Sequence, residues 1–254
     1  MNMKYAVSSV RSSLQYRANL YGFLVITVVT YAFRLAFLER LVDIGDGQVG
    51  GWNHSQVLNL YYVGLIVSLI SWSLASSVDT FFRHAHKGDL DGHLMRPVSV
   101  STILMLRWAA GPNLLGLALV LPLAIVDRWG MITSIGPLRL SLAGLGIVLA
   151  VVSVVSAMVM TYSLTLILQR EIPVDYIFSE LFRLVQVPPT VFTGSWFGLL
   201  VVGLPMVLGV WAPVSVLEGS FLPLLGLAVV AVLTLVVAIW AVRKSLAHFD
   251  GLGG

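Results

Sequence analysis

The sequence predicts an all-α membrane protein: an amphipathic interfacial helix, six transmembrane helices, and a short non-spanning segment between the fifth and sixth. Three observations predict it. Hydrophobic residues make up 58% of the 254 and charged residues only 11%, against roughly 25% charged in a soluble domain. The apolar residues fall into runs of the roughly 20 residues that a helix needs to cross the hydrocarbon core, and mean hydropathy is +0.93. The 15 Lys and Arg residues lie mostly in alternate loops. A single membrane domain over 1–254 follows. With no cysteine, disulfide frameworks, thiolate metal sites and cysteine nucleophiles are excluded.

The elements follow in order. Met3, Val7, Val10 and Leu14 recur at helical spacing while Ser8, Arg11, Ser12 and Gln15 take other faces, which suits an interfacial helix over 1–18. A solvated tail is the alternative, and no cleavable leader is expected because no small-residue cleavage site follows the first apolar run. The spans are read as Leu20–Leu38, Val57–Val78 after a Gly-rich polar loop, Ile103–Val126, and Leu140–Leu168. The last is long enough to require tilt or extension beyond the bilayer. The uncharged stretch from Leu184 to Leu217 holds Pro188, Pro189, Pro205 and Pro213 and is too long for one crossing. Splitting it gives a fifth span, Thr190–Trp211, a non-spanning segment, Ala212–Ser220, and a sixth span, Phe221–Val242.

An even number of crossings puts both termini on one side. That side carries Lys4, Arg11, Arg17, Arg83, Lys87, Arg96, Arg107, Arg170, Arg183, Arg243 and Lys244, against Arg34, Arg40, Arg128 and Arg139 on the other. The positive-inside rule then places the termini, the 79–101 loop and the 169–189 loop in the cytoplasm of a cell-membrane protein. Since the basic excess is topological, no nucleic-acid partner is expected. The partner that composition demands is the lipid bilayer.

The loop after the second span carries the most specific pattern. In Lys87-Gly88-Asp89-Leu90-Asp91-Gly92-His93-Leu94-Met95-Arg96-Pro97-Val98, Gly88 can end one helix, Asp89 can cap the next, and Pro97 stops it. Leu90 and Leu94 then share a face, with Asp91 and Arg96 free for polar contacts. Such a helix either docks in a partner's groove or packs on its own domain.

The Gly88-x-Leu90-Asp91-x-x-Leu94-x-Arg96-Pro97-Val98 pattern resembles the loop signature of the permease subunits of ABC transporters, ABC-type-2 class. The resemblance extends through Val187-Pro188-Pro189-Thr190, Ala212-Pro213-Val214-Ser215 and the Gly-rich tail, where Phe249 replaces the family's usual Tyr. It implies that the loop is a coupling helix contacting a cytoplasmic ABC ATPase dimer, with Lys87, Gly88, Asp89, Leu90, Asp91, Leu94, Arg96 and Pro97 as the coupling residues. It further implies a second permease copy or paralogue, and a solute, hydrophobic or amphipathic, exported from the cytoplasm or inner leaflet. ATP and Mg are expected on the partner ATPase, with no cofactor on this chain. The sequence accords with a motor elsewhere, because no Gly-x4-Gly-Lys-Ser/Thr loop occurs and none of the three lysines follows a glycine. The chain is therefore not expected to be an enzyme by itself. A membrane-embedded assembly protein without transport is the alternative class.

Within the spans, Ser68, Ser71 and Trp72 suggest one wall of a route, and Gly194 and Gly198, at close-packing spacing, a dimer interface or pathway. Ser153, Ala157 and Thr161 read as packing within the chain. No acidic residue falls in the middle of a predicted span, which argues against a proton relay. His84, His86 and His93 with Asp89 and Asp91 do not form a convincing metal set, because His-x-His on a helix points its rings apart. Gly194-Ser195 lacks a histidine base in any predicted span, so no catalytic residue is assigned.

Overall fold

The computed structural model describes residues 17–90, 99–170, 172–184, 188, 190 and 205–247. Residues 1–16 of the interfacial helix expected over 1–18 lie outside them. Helix α1, Arg17–Ile44, leads into a minimal hairpin of β1, Gln48–Val49, and β2, Trp52–Asn53. Gly50 and Gly51 form its two-residue turn with φ of 57° and 82°, backbone angles that favour glycine. Asn53 then starts α2, His54–His86, through a reciprocal capping box with Gln56: the Gln56 N–H donates to Asn53 Oδ1 at 2.9 Å and the Asn53 N–H to Gln56 Oε1 at 2.8 Å.

Helix α2 outruns the expected Val57–Val78 span by about two turns. Its end is a Schellman cap: the Gly88 N–H donates to the Ala85 carbonyl, the Asp89 N–H donates to the His84 carbonyl, and Gly88 has φ 74°. The third span is not one straight helix. It is divided into α3, Val100–Leu106, and α4, Gly111–Asp127, bent by 62°. Pro112 lacks the N–H that would continue the ladder, and it disfavours helical backbone at Gly111. Serines of α2 take over. Ser76 Oγ donates to the Trp108 carbonyl, Ser73 Oγ to the Ala110 carbonyl, and the Trp108 N–H donates to Ser77 Oγ, all at 3.0–3.1 Å.

Next come α5, Trp129–Ser134, and α6, Pro137–Leu168, the element against which α2, α8 and α9 all pack. Helix α7, Val174–Leu184, is strongly amphipathic: Val174, Phe178 and Phe182 are buried, while Tyr176 and Arg183 are exposed. Helix α8, Pro205–Leu217, precedes α9, Leu222–Ala247. The expected boundary at Ala212 is absent, since α8 runs through Pro213 to a second glycine cap at Gly219, φ 95°. Space for this comes from α6. A Cβ on Gly146 would lie 3.0 Å from Pro213 Cγ, and one on Gly209 would lie 3.1 Å from Ala150 Cβ. Small residues bring α6 and α8 together here, and Ser153 is also fully buried, in accord with packing within the chain. At about 20 Å, α8 is too short to cross a bilayer.

Among the described residues, four helices are long and apolar enough to cross, and the bent α3–α4 pair makes a fifth if it is one span. Most of the expected fifth span, 191–204, lies outside the described residues. Those that flank it alter the expected path. Asp175, at the start of α7, lies beside Arg83 near the end of α2; Phe182 packs on Trp72 halfway along α2; and the Thr190 hydroxyl donates to the Gly50 carbonyl in the hairpin at 2.5 Å. The chain therefore passes from one end of the bundle to the other between Val174 and Thr190. A helix thus takes up part of the expected 169–189 loop, and Thr190 lies at the hairpin end of the bundle. The charges of α7 disguised the passage, because they sit on its outer face while its aromatic residues turn inward.

The outward surface fits lipid. Val25, Ile26 and Phe33 on α1 and Val229, Val232 and Trp240 on α9 are all more than half exposed, an apolar area beyond what water tolerates on a monomer.

Candidate functional site

The site is the turn that ends α2, with the bracing beneath it. Lys87 and Asp89 are exposed, Gly88 is half-buried, and Leu90 is completely buried in the hydrophobic core. The burial of Leu90 corrects its expected role as a docking anchor: the side chain holds the loop to its own domain. Asp91, Leu94, Arg96 and Pro97 lie outside the described residues, as do Gly194 and Gly198. Only the exposed polar rim at Lys87 and Asp89 therefore presents described coupling residues to a partner.

Beneath the turn, α2 is braced on two sides. On one, His84 stacks on Trp108 at 5.1 Å between centroids, and the Arg107 guanidinium sits 5.2 Å over the same indole. The break between α3 and α4 is thereby fixed to α2 by rings as well as by serines. On the other, His86 Nε2 lies 3.3 Å from Thr165 Oγ1, and Phe82 stacks on Tyr162 at 6.0 Å with 10° between ring planes. Tyr162 then reaches a third helix, its hydroxyl donating to Asp175 Oδ1 at 2.5 Å. Arg83 pairs with Asp79 one turn earlier at 2.8 Å and stands 4.0 Å from Asp175.

The sequence reading missed Tyr162 and Asp175. The available signal was Val174, Phe178 and Phe182 at i, i+4 and i+8, which marks α7 as an amphipathic helix needing an apolar partner.

The expected route residues lie elsewhere, with Trp72 about 22 Å along α2 from Lys87 at helical rise. Ser68 is half-buried and returns its hydroxyl to the Leu65 carbonyl, and Ser71 is fully buried in helix packing, so Ser71 does not face an open route. Trp72 is half-buried against Phe182 at 5.8 Å. Glu180 and Arg183 on α7 form an ion pair at 3.1 Å with side chains 41% and 66% exposed. Glu180 lies less than a turn from Phe182 and hence near the level of Trp72, on a helix outside those long and apolar enough to cross by themselves.

A bundle with lipid-facing outer helices and a braced turn at one end defines a multi-pass helical membrane protein. The chain belongs to the ABC-2 transporter family: the family described as "ABC-2 family transporter protein" matches residues 23–253. Membership implies a membrane subunit that works with an ABC ATPase and is not itself catalytic. No curated protein and no solved structure gives a significant match.

Proposed function

We propose that this chain is the permease subunit of an ATP-driven exporter, moving a hydrophobic or amphipathic solute out of the cytoplasm or inner leaflet. ATP and Mg are held by a cytoplasmic ATPase dimer, and a second permease copy or paralogue completes the membrane part. The observation that carries this reading is the turn at Lys87–Leu90. It has an exposed polar rim, and its root is held by Leu90, the α3–α4 break and Tyr162, so a push on the rim is delivered to the helices instead of being absorbed by a loop.

Six crossings remain the reading, made by α1, α2, the α3–α4 pair, α6, the 174–190 passage and α9. Helix α8 adds no crossing of its own. Moving Arg183 into a crossing leaves ten basic residues against four, so the termini and the turn stay cytoplasmic.

The test is co-purification with the ABC ATPase. Lys87→Glu combined with Asp89→Lys is expected to abolish ATPase association while membrane insertion and thermal stability stay unchanged. Undiminished association would remove the turn from the interface. An unmodified chain that binds no ABC ATPase would favour the non-transporting assembly reading.

A further inference from the structure

Helix α7 is joined to the end of α2 by very few groups. About ninety residues separate them in sequence, and among the described residues the link on the loop side runs through Tyr162 and Arg83. Tyr162 of α6 lays its ring parallel to Phe82 of α2 and gives its hydroxyl proton to Asp175 of α7 at 2.5 Å, shorter than an ordinary neutral hydrogen bond. Arg83 adds a weaker second strand, held by Asp79 at 2.8 Å and aimed at Asp175 across 4.0 Å. By contrast, α3 is tied to α2 by Ser73, Ser76 and Ser77 at the break that follows it, and needs no such joint.

We propose that Tyr162 is the joint that makes α7 travel with α2 when the Lys87–Leu90 turn is displaced, with Asp175 as its receiving group and Arg83 as its support. The proposal rests on the reading of that turn as the contact for an ATPase. Its consequence is mechanical. The charged face of α7, with Glu180 and Arg183, turns or shifts in the membrane only while Tyr162 holds Asp175. Tyr162 is a positioning residue: it lies in the core of the loop end, away from the exposed rim.

The chain contains no cysteine, so single labels report without background. Nitroxide labels on Lys87→Cys and, separately, on Ser179→Cys, in chains that co-purify with the ATPase after labelling, are compared in liposomes without nucleotide and with ATP, Mg and orthovanadate. Both labels are expected to change their spectra in the otherwise native chain. With Tyr162→Phe, which keeps the ring on Phe82, the Lys87 response is expected to persist and the Ser179 response to be lost. Asp175→Ala, which removes the acceptor, is expected to do the same and serves where the phenylalanine variant fails to assemble. A Ser179 response undiminished in both variants overturns the joint, as does a native chain in which only Lys87 responds. Absence of any response at Lys87 overturns the ATPase-contact reading itself.

Discussion

Leu90 carries the largest lesson at the scale of single residues. In the sequence it reads as one of two leucines on the face of a docking helix, yet its side chain has no exposure at all. Burial cannot be read from one short amphipathic turn, because both sides of that turn are apolar opportunities. Leu90→Ala is expected to cost about 2–5 kcal/mol through the cavity it leaves, lowering the thermal midpoint in detergent. Were it a docking anchor, the same change would weaken ATPase association and leave the midpoint alone. Gly209 makes the complementary case. Because a Cβ there would meet Ala150 Cβ at 3.1 Å, Gly209→Val is expected to destabilise the α6–α8 contact by about 1–3 kcal/mol, read in the same melting experiment.

At the scale of elements, the serines of α2 show how a pattern legible in the sequence can be assigned the wrong partner. A run of small polar residues on an apolar helix suggests a route for solute, and Ser68, Ser71 and Trp72 were read that way. The structure spends the neighbouring serines on backbone. Ser76 supplies the donor that Pro112 denies to the Trp108 carbonyl, and Ser73 and Ser77 pair the Ala110 carbonyl and the Trp108 N–H at the same break, within a region where an unpaired carbonyl has no water to turn to. Ser77→Ala is expected to speed amide exchange at Trp108, and with Ser73→Ala, which leaves the Ala110 carbonyl without its hydroxyl donor, to cost about 1–3 kcal/mol per group left unpaired. Exchange unchanged at Trp108 and an unchanged thermal midpoint would show that the break is held without them. Helix α7 is the converse case, because its charges removed it from a search for apolar runs. A crossing segment packed on protein along one face needs only that face to be apolar, and Val174, Phe178 and Phe182 provide it.

For the whole molecule, the two paths through residues 174–217 make opposite statements about accessibility. With Thr190 bonded to Gly50, Thr190→Cys and Asp46→Cys belong to one end of the bundle and Lys87→Cys to the other. A membrane-impermeant maleimide applied to intact cells is expected to label the first two and spare the third; labelling of Thr190→Cys only after permeabilisation would restore the earlier path. What the sequence by itself determined is the all-α membrane class, the glycine cap at Gly88 and the family. These depend on composition, on the length of apolar runs and on local backbone chemistry, each of which acts within a window of a few to about 20 residues. Only the tertiary structure decided that Leu90 is an internal anchor, that the third span is broken and repaired from α2, and that α7 runs beside Trp72 with Tyr162 as its tie to α2. Each of these depends on which residues distant in sequence meet across the bundle, and a single helix carries no record of the neighbour that satisfies it.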